Sequence, residues 1–203
     1  MDAQQPLSSL VPDPADIVGL VEKMVDGRWP RSEFDRKTLF LNLGFTSGAS
    51  WEDAATATET QHYSLGLGLP REIMSSWTSH NGRFVGISMH LYSSMDTDNP
   101  STRQGYEDFR RQFTALYGEP ANPWHDPMVP ACVWNVNGRR IAIRFFNLQH
   151  SSMMLSVEDA GLANAAEAAA RRQNAPTNWN NSVAGASPFN LPGFGSETNK
   201  PRI

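Results

Sequence analysis

The chain is poor in cysteine, in basic residues and in long apolar runs, and each shortage excludes a class of protein or site. Cys132 is the single cysteine among 203 residues, which excludes an intramolecular disulfide and a zinc site built from several cysteines. No apolar run reaches transmembrane length, and residues 1–12 lack the apolar segment of a secretory signal. We therefore expect a cytoplasmic protein that does not cross a membrane.

Charge and composition limit the partners and the number of domains. The 17 Lys and Arg residues are outnumbered by 21 Asp and Glu residues, and a net charge of −4 argues against nucleic-acid binding, which needs clustered cations. With 39% hydrophobic residues, the chain can form a core. We predict a loose leader at residues 1–12, one domain at residues 13–172 and a disordered tail, rich in Asn, Pro, Ser and Gly, at residues 173–203.

The clearest structural signal is a β-hairpin between residues 131 and 148. Two runs rich in β-branched and aromatic residues flank Asn137-Gly138, a pair that suits a type I′ turn because both central positions need a positive φ. With these two residues as the loop, Trp134 lies opposite Ile141 and Cys132 lies opposite Ile143. The residues predicted to share one buried face are Cys132, Trp134, Ile141, Ile143 and Phe145.

The rest of the chain mixes helix starts with alternating apolar residues. The predicted helix starts are Asp13-Pro14, Ser32 with Asp35 three residues on, and Ser101. Apolar residues at every second position predict further strands at residues 63–69, 85–91 and 153–157. An alanine-rich run up to Arg172 predicts a last helix. This order predicts an α+β fold, with an antiparallel sheet of about five to six strands and helices packed on one face.

Few residues suit catalysis or metal binding. No histidine pair has the spacing of a metal site, and we expect no catalytic residues, no cofactor and no metal. His62 and His90 lie on the polar sides of two predicted strands, and if these strands were neighbours the pair could serve a small-ligand enzyme. Two solvent-facing strand residues are the simpler interpretation. Cys132 is expected to be a buried thiol rather than a nucleophile, because it lies on the core face of the hairpin.

Two loops carry the residues that could bind a protein partner. Asp96-Thr97-Asp98 resembles the start of a calcium loop, but it lacks the required downstream glutamate and is better explained as an acidic turn before a helix. Trp124-His125-Asp126 lies in a proline-rich loop, where exposed aromatic and charged residues can anchor an interface. Packing of Trp124 under its own loop is the simpler alternative. The candidate partner-binding residues are Asp96, Asp98, Trp124, His125 and Asp126.

Several loosely spaced motifs, taken together, resemble a known family. The motifs are Tyr63-x-Leu65-Gly66-Leu67-Gly68, then Gly82-Arg83-x-Val85-x-Ile87 with the acidic loop, then Phe109, Phe113 and Leu116 leading to Gly118-Glu119-Pro120, and then Trp134 with its hairpin. They are similar to an actinobacterial family of uncharacterised small proteins, whose members look like immunity proteins of toxins secreted by type VII, WXG-type loci. The resemblance covers about residues 13–160 and leaves the tail outside.

The resemblance implies a non-catalytic protein that neutralises a cognate secreted toxin by covering its active site. The family carries no catalytic residues that could be transferred to this chain. The alternative is a secretion chaperone or adaptor for a type VII effector, which would hold its partner through an open sheet face or an edge strand. It would use the strand from Leu65 to Leu69 and the face that carries His90.

Overall fold

The computed structural model describes residues 10–50, 59–69, 72–121 and 128–173. The elements in chain order are α1 (Pro14–Asp26), α2 (Glu33–Leu43), β1 (Thr46–Ser50), β2 (Thr60–Gly66), β3 (Ser75–His80), β4 (Arg83–Ser94), α3 (Pro100–Tyr117), β5 (Ala131–Val136), β6 (Arg139–Asn147), β7 (Ser151–Asp159) and α4 (Ala160–Gln173). The tail predicted at residues 173–203 lies, beyond Gln173, outside the described residues.

The strands form one antiparallel sheet in the order β1-β2-β3-β4-β7-β6-β5. The predicted α+β class is confirmed. The sheet has seven strands instead of about five to six, because β1 and β3 carry too few large apolar residues for a strand signal. Trp77 is the only large apolar residue of β3, and β1 consists of Thr, Ser, Gly and Ala alone.

The predicted hairpin is confirmed as β5 and β6. Trp134 pairs with Ile141 and Cys132 pairs with Ile143, which is the predicted register. Asn137 and Gly138 have φ values of 51° and 74°, as a type I′ turn requires. All five residues predicted for the core face are buried, each with no more than 3% of its surface exposed.

The two faces of the sheet differ in their side chains. The first face carries rows of large apolar residues, for example Cys132, Ile143, Leu155 and Met89 on four successive strands. Helix α3 packs on this face, where Phe113 lies 5.4 Å from Trp134 between ring centroids. Helix α1 packs against α3, and Phe40 of α2 contacts Trp77 edge to face at 5.9 Å. Three helices thus enclose the core on the first face.

Helix α4 lies on the opposite, second face, and contacts β4 and β7. It lines a groove there together with Ser88 and Met154, which alternate along their strands with the buried residues of the first face. Its buried side chains, Ala163 and Ala169, are small, so it lies close to the serines and alanines of that face. The expectation of helices on one face therefore holds for α1, α2 and α3, while α4 occupies the other.

Capping residues mark the helix starts. Asp13 caps α1 ahead of Pro14, and Ser32 caps α2 by accepting from the backbone N–H of Asp35, both as predicted. The predicted cap of α3 was wrong by two residues, because Asn99 caps the helix and its side chain accepts from the N–H groups of Ser101 and Thr102. Within the described ranges, no helix has the length and hydrophobicity needed to cross a bilayer.

Candidate functional site

The second face of the sheet is polar and only partly covered, and it is the candidate functional site. Strand register places small polar side chains in a row on neighbouring strands, namely Ser64, Ser76, Ser88 and Ser156. The next row across the sheet lies on the side where β3 begins. It holds Arg144, Met154 and His90. Helix α4 borders a groove of about 500 Å³ above these rows. A partner could therefore approach the backbone of the sheet closely, since few large side chains stand in the way.

His90 lies where three grooves of this region meet, on β4. Its backbone N–H donates to the carbonyl of Met74, which comes just before β3 (2.9 Å). Burial lowers the pKa of the imidazole below its ordinary value, because a charged ring loses water there. At neutral pH, the ring is therefore uncharged and offers one donor and one acceptor.

His62 and His90 share the second face but do not form a pair, so the expectation that their strands could be neighbours was wrong. Strand β3 lies between β2 and β4, and His62 is in register with Thr78 and Gly86. Two strand spacings and four residues along β4 place the Cα atoms of the two histidines roughly 16 Å apart. The Nδ1 of His62 instead bonds to Oγ1 of Thr78 (3.1 Å). The two imidazoles therefore do not form a hydrogen-bonded pair, although both line the groove beside α4.

Three large apolar side chains are exposed at the end of this face, and we call Met74, Met95 and Leu148 the apolar patch. They expose 63%, 87% and 56% of their surfaces, and they line one groove of about 540 Å³ together with His90 and Phe146. The patch joins three separate connections: the start of β3, the end of β4 and the β6–β7 turn. Sequence reasoning missed it, because the three residues come from segments that are far apart in the chain.

The acidic loop lies beside the patch and is held in place. Asp96 and Asp98 are exposed, as expected of partner-binding residues. The carbonyl of Asp96 accepts from the N–H and the hydroxyl of Ser151 (3.1 and 2.8 Å), and the N–H of Asp98 donates to the side chain of Asn147 (2.7 Å). The carboxylate of Asp98 also accepts from Nε of Arg103 (2.7 Å), which reduces the net negative charge of the loop.

The second predicted group, Trp124, His125 and Asp126, lies outside the described residues. The role predicted for these three residues in partner binding therefore remains a prediction. The described chain resumes at residue 128, where the carbonyl of Met128 accepts from the N–H of Asn147 in the β6–β7 region (2.9 Å). The end of the proline-rich segment thus lies close to the side of the sheet that carries the apolar patch.

In the described part of the chain, the thiol is buried and the acidic groups are dispersed. Cys132 is 2% exposed, as expected, and its sulfur lies 3.3 Å from the hydroxyl of Tyr106. Burial raises the pKa of the Tyr106 hydroxyl, so the phenol stays protonated. Across the described ranges, no three His, Cys, Asp or Glu side chains come close enough together to hold a metal ion.

Comparison with known proteins found no relative of this chain. No protein-family model, no curated protein and no solved structure matches the chain. The resemblance to immunity proteins therefore stays a prediction that rests on the motifs alone.

Proposed function

We propose that this protein is a non-catalytic, protein-binding protein that neutralises a cognate secreted toxin, and that its contact surface is centred on the apolar patch. The observation that carries the proposal is the exposure of Met74, Met95 and Leu148 around one groove. Large apolar side chains that cluster at the surface typically mark a site where another protein binds. Methionine suits such a site, since its flexible side chain adapts to the surface that it meets.

The energetics favour the patch as the centre of an interface. Complete burial of a large apolar side chain stabilises by about 1.5–3 kcal/mol. The three patch residues are 56–87% exposed, so burial against a partner would contribute a corresponding part of this energy from each. Phe146 and His90 line the same groove, and they would bring an aromatic ring and a neutral imidazole into the contact. Aromatic residues and methionine are enriched in protein interfaces relative to the rest of the surface.

The acidic loop would form the polar rim of this interface. Asp96 and Asp98 follow Met95 directly, and the loop is fixed to β7 and Asn147 by backbone hydrogen bonds. A fixed loop loses little conformational entropy on binding. The carboxylate of Asp96 would meet cationic groups on the toxin. Rim charges of this kind mainly set the association rate and the choice of partner.

Co-expression with a candidate toxin from the neighbouring genes tests the proposal. We expect the wild-type protein to rescue growth and to co-purify with the toxin. Met95→Asp should weaken the complex by about tenfold or more, because a charge in the centre of an interface must lose its water. Leu41→Asp is the matched control, since Leu41 is 80% exposed on α2, away from the patch. If the wild-type protein neither rescues growth nor co-purifies, the proposal fails; if both variants weaken the complex equally, the patch is not the contact surface.

A secretion chaperone or adaptor for a type VII effector is the second candidate, favoured by the edge strand β1. All five residues of β1 are exposed and none is charged, so a partner strand could pair with the edge. Leu65 and Leu67 are buried, at 5% and 7%, which removes two of the three leucines that a chaperone was expected to use, while Leu69 is partly exposed.

The substitution Ala49→Lys tests the chaperone function, because it places on β1 a charge of the kind that protects natural sheet edges. It should weaken effector binding if the chaperone function is correct, and leave toxin neutralisation intact if it is not.

A further inference from the structure

A further concave site, away from the grooves around His90, lies on the first face between the start of α2 and the β3–β4 turn. It is a cleft of about 400 Å³, separate from the apolar patch, and we call it the arginine cleft. Its lining includes Arg31, Glu33, Arg36, Gln61, Ser79 and Arg83. Three guanidinium groups, two from the start of α2 and one from β4, line the cleft together with a single carboxylate. The lining is therefore positively charged in a chain whose net charge is −4.

Arg36 is held in one orientation at the base of the cleft. It is 6% exposed, and its guanidinium carbon lies 4.3 Å from the ring of Trp77 and 4.8 Å from the ring of Phe40. Glu33 accepts from its Nε at 2.8 Å and from Nη2 at 2.5 Å. Tyr63 stacks on Trp77 with 4.1 Å between ring centroids, which fixes the aromatic support. The guanidinium is therefore preorganised.

Arg31 and Arg83 stand at the mouth of the cleft without carboxylate partners. Both are exposed, and neither forms an ion pair with any described residue. The side-chain oxygen of Gln61 accepts from the hydroxyl of Tyr63 (2.6 Å), which leaves its amide N–H groups available to donate. The cleft thus collects hydrogen-bond donors and positive charge with little acceptor capacity of its own.

We propose that the arginine cleft binds a small polyanion that carries carboxylate or phosphate groups. Guanidinium groups pair with both through two parallel hydrogen bonds, and such charge-assisted bonds are about twice as strong as neutral ones. The fixed Arg36 reduces the entropy lost on binding. The ligand replaces water at Arg31 and Arg83, and the Gln61 amide donates to it. This site is independent of the apolar patch and of any toxin.

Titration calorimetry on the full chain tests the proposal with two probes, pyrophosphate and citrate. We expect saturable binding of one probe molecule per chain, weakened by added salt. Arg31→Gln and Arg83→Gln should each weaken binding by about fivefold to tenfold, because each removes a charge-assisted bond. Both arginines are exposed, and thermal unfolding verifies that these variants fold.

Arg172→Gln is the matched control, because Arg172 is an exposed arginine on α4, on the other face of the sheet. It should leave the affinity for either probe unchanged. The two arms distinguish the sources of the anion: binding of pyrophosphate alone identifies a phosphate ligand, and binding of citrate alone identifies a carboxylate ligand. The proposal is overturned if neither probe saturates at millimolar concentrations, or if Arg172→Gln weakens binding as much as Arg83→Gln does.

Discussion

The two faces of one sheet serve different purposes in this molecule. The first face is closed by α1, α2 and α3 over rows such as Ile143, Leu155 and Met89, each of which is fully buried. The second face carries serines, threonines and histidines, and its single helix contacts it through alanines. The difference teaches that the same strands can concentrate stability on one side while the other remains accessible. A substitution should therefore lower the free energy of unfolding most when it lies on the first face.

Truncation of an aromatic side chain in the core should cause the largest loss of stability. Phe113 is completely buried on α3 and packs against Phe109 and Trp134. Phe113→Ala should lower the free energy of unfolding by about 3–5 kcal/mol, through lost apolar burial and the cavity that it leaves. Met154→Ala on the second face should cost less than half as much, because Met154 is partly exposed. Chemical denaturation measures both. Equal losses would break the comparison between the two faces.

A glycine on β4 sharpens the comparison, because it marks a place where the second face is tightly packed. A Cβ on Gly86 would lie 2.3 Å from the carbonyl oxygen of Val157 and 2.7 Å from Cα of Glu158, both backbone atoms of β7. Gly86→Ala should therefore lower the free energy of unfolding by about 1–3 kcal/mol. Gly19→Ala is the control with the opposite sign. Gly19 lies inside α1 with no atom within 4 Å of its Cβ position, so the change should stabilise the protein by up to about 1 kcal/mol.

The attachment of α4 to the second face depends on Arg140. Its guanidinium donates to Glu158 on β7 (2.9 Å) and to Glu167 on α4 (2.5 Å), which joins the helix to the sheet. Arg140→Gln should raise the exchange rates of α4 amide hydrogens by about tenfold, while the amides of α3 change little. Hydrogen exchange followed by mass spectrometry separates the two helices. Equal changes in both would mean that α4 does not open independently of the core.

Local signals made the hairpin and the helix caps predictable. Asn137-Gly138 determines the loop, and the register of Trp134 with Ile141 follows from the alternation of side chains alone. Ser32 and Asp13 act as caps because their side chains bond to backbone only two or three residues away. Such features need no knowledge of the rest of the chain, so sequence reasoning recovers them.

Features built from distant segments could not be predicted in this way. Strand β3 has one large apolar residue, and β2 and β4 on either side of it decide its place. The apolar patch combines Met74, Met95 and Leu148 from three connections, and only the strand order brings them together. The same holds for Arg31 and Arg83 in the arginine cleft. Candidate sites on this molecule therefore arise from topology, whereas its core arises from periodicity.

The smallest expected effect concerns pH and the half-buried His90. Burial holds the pKa of its imidazole below the ordinary value of 6.5, so the unfolded chain binds a proton more readily than the folded one. The free energy of unfolding should therefore fall as the pH drops through about 6.5, and level off once the folded state is also protonated. His90→Gln should flatten this part of the pH profile, measured by urea denaturation between about pH 7.5 and pH 5. His150→Gln, at the exposed β6–β7 turn, is the control and should retain the wild-type slope. If the free energy of unfolding of both variants changes with pH at the same slope, His90 is more hydrated than its half-buried position indicates. The second face would then be more accessible to water at His90 than the structure shows.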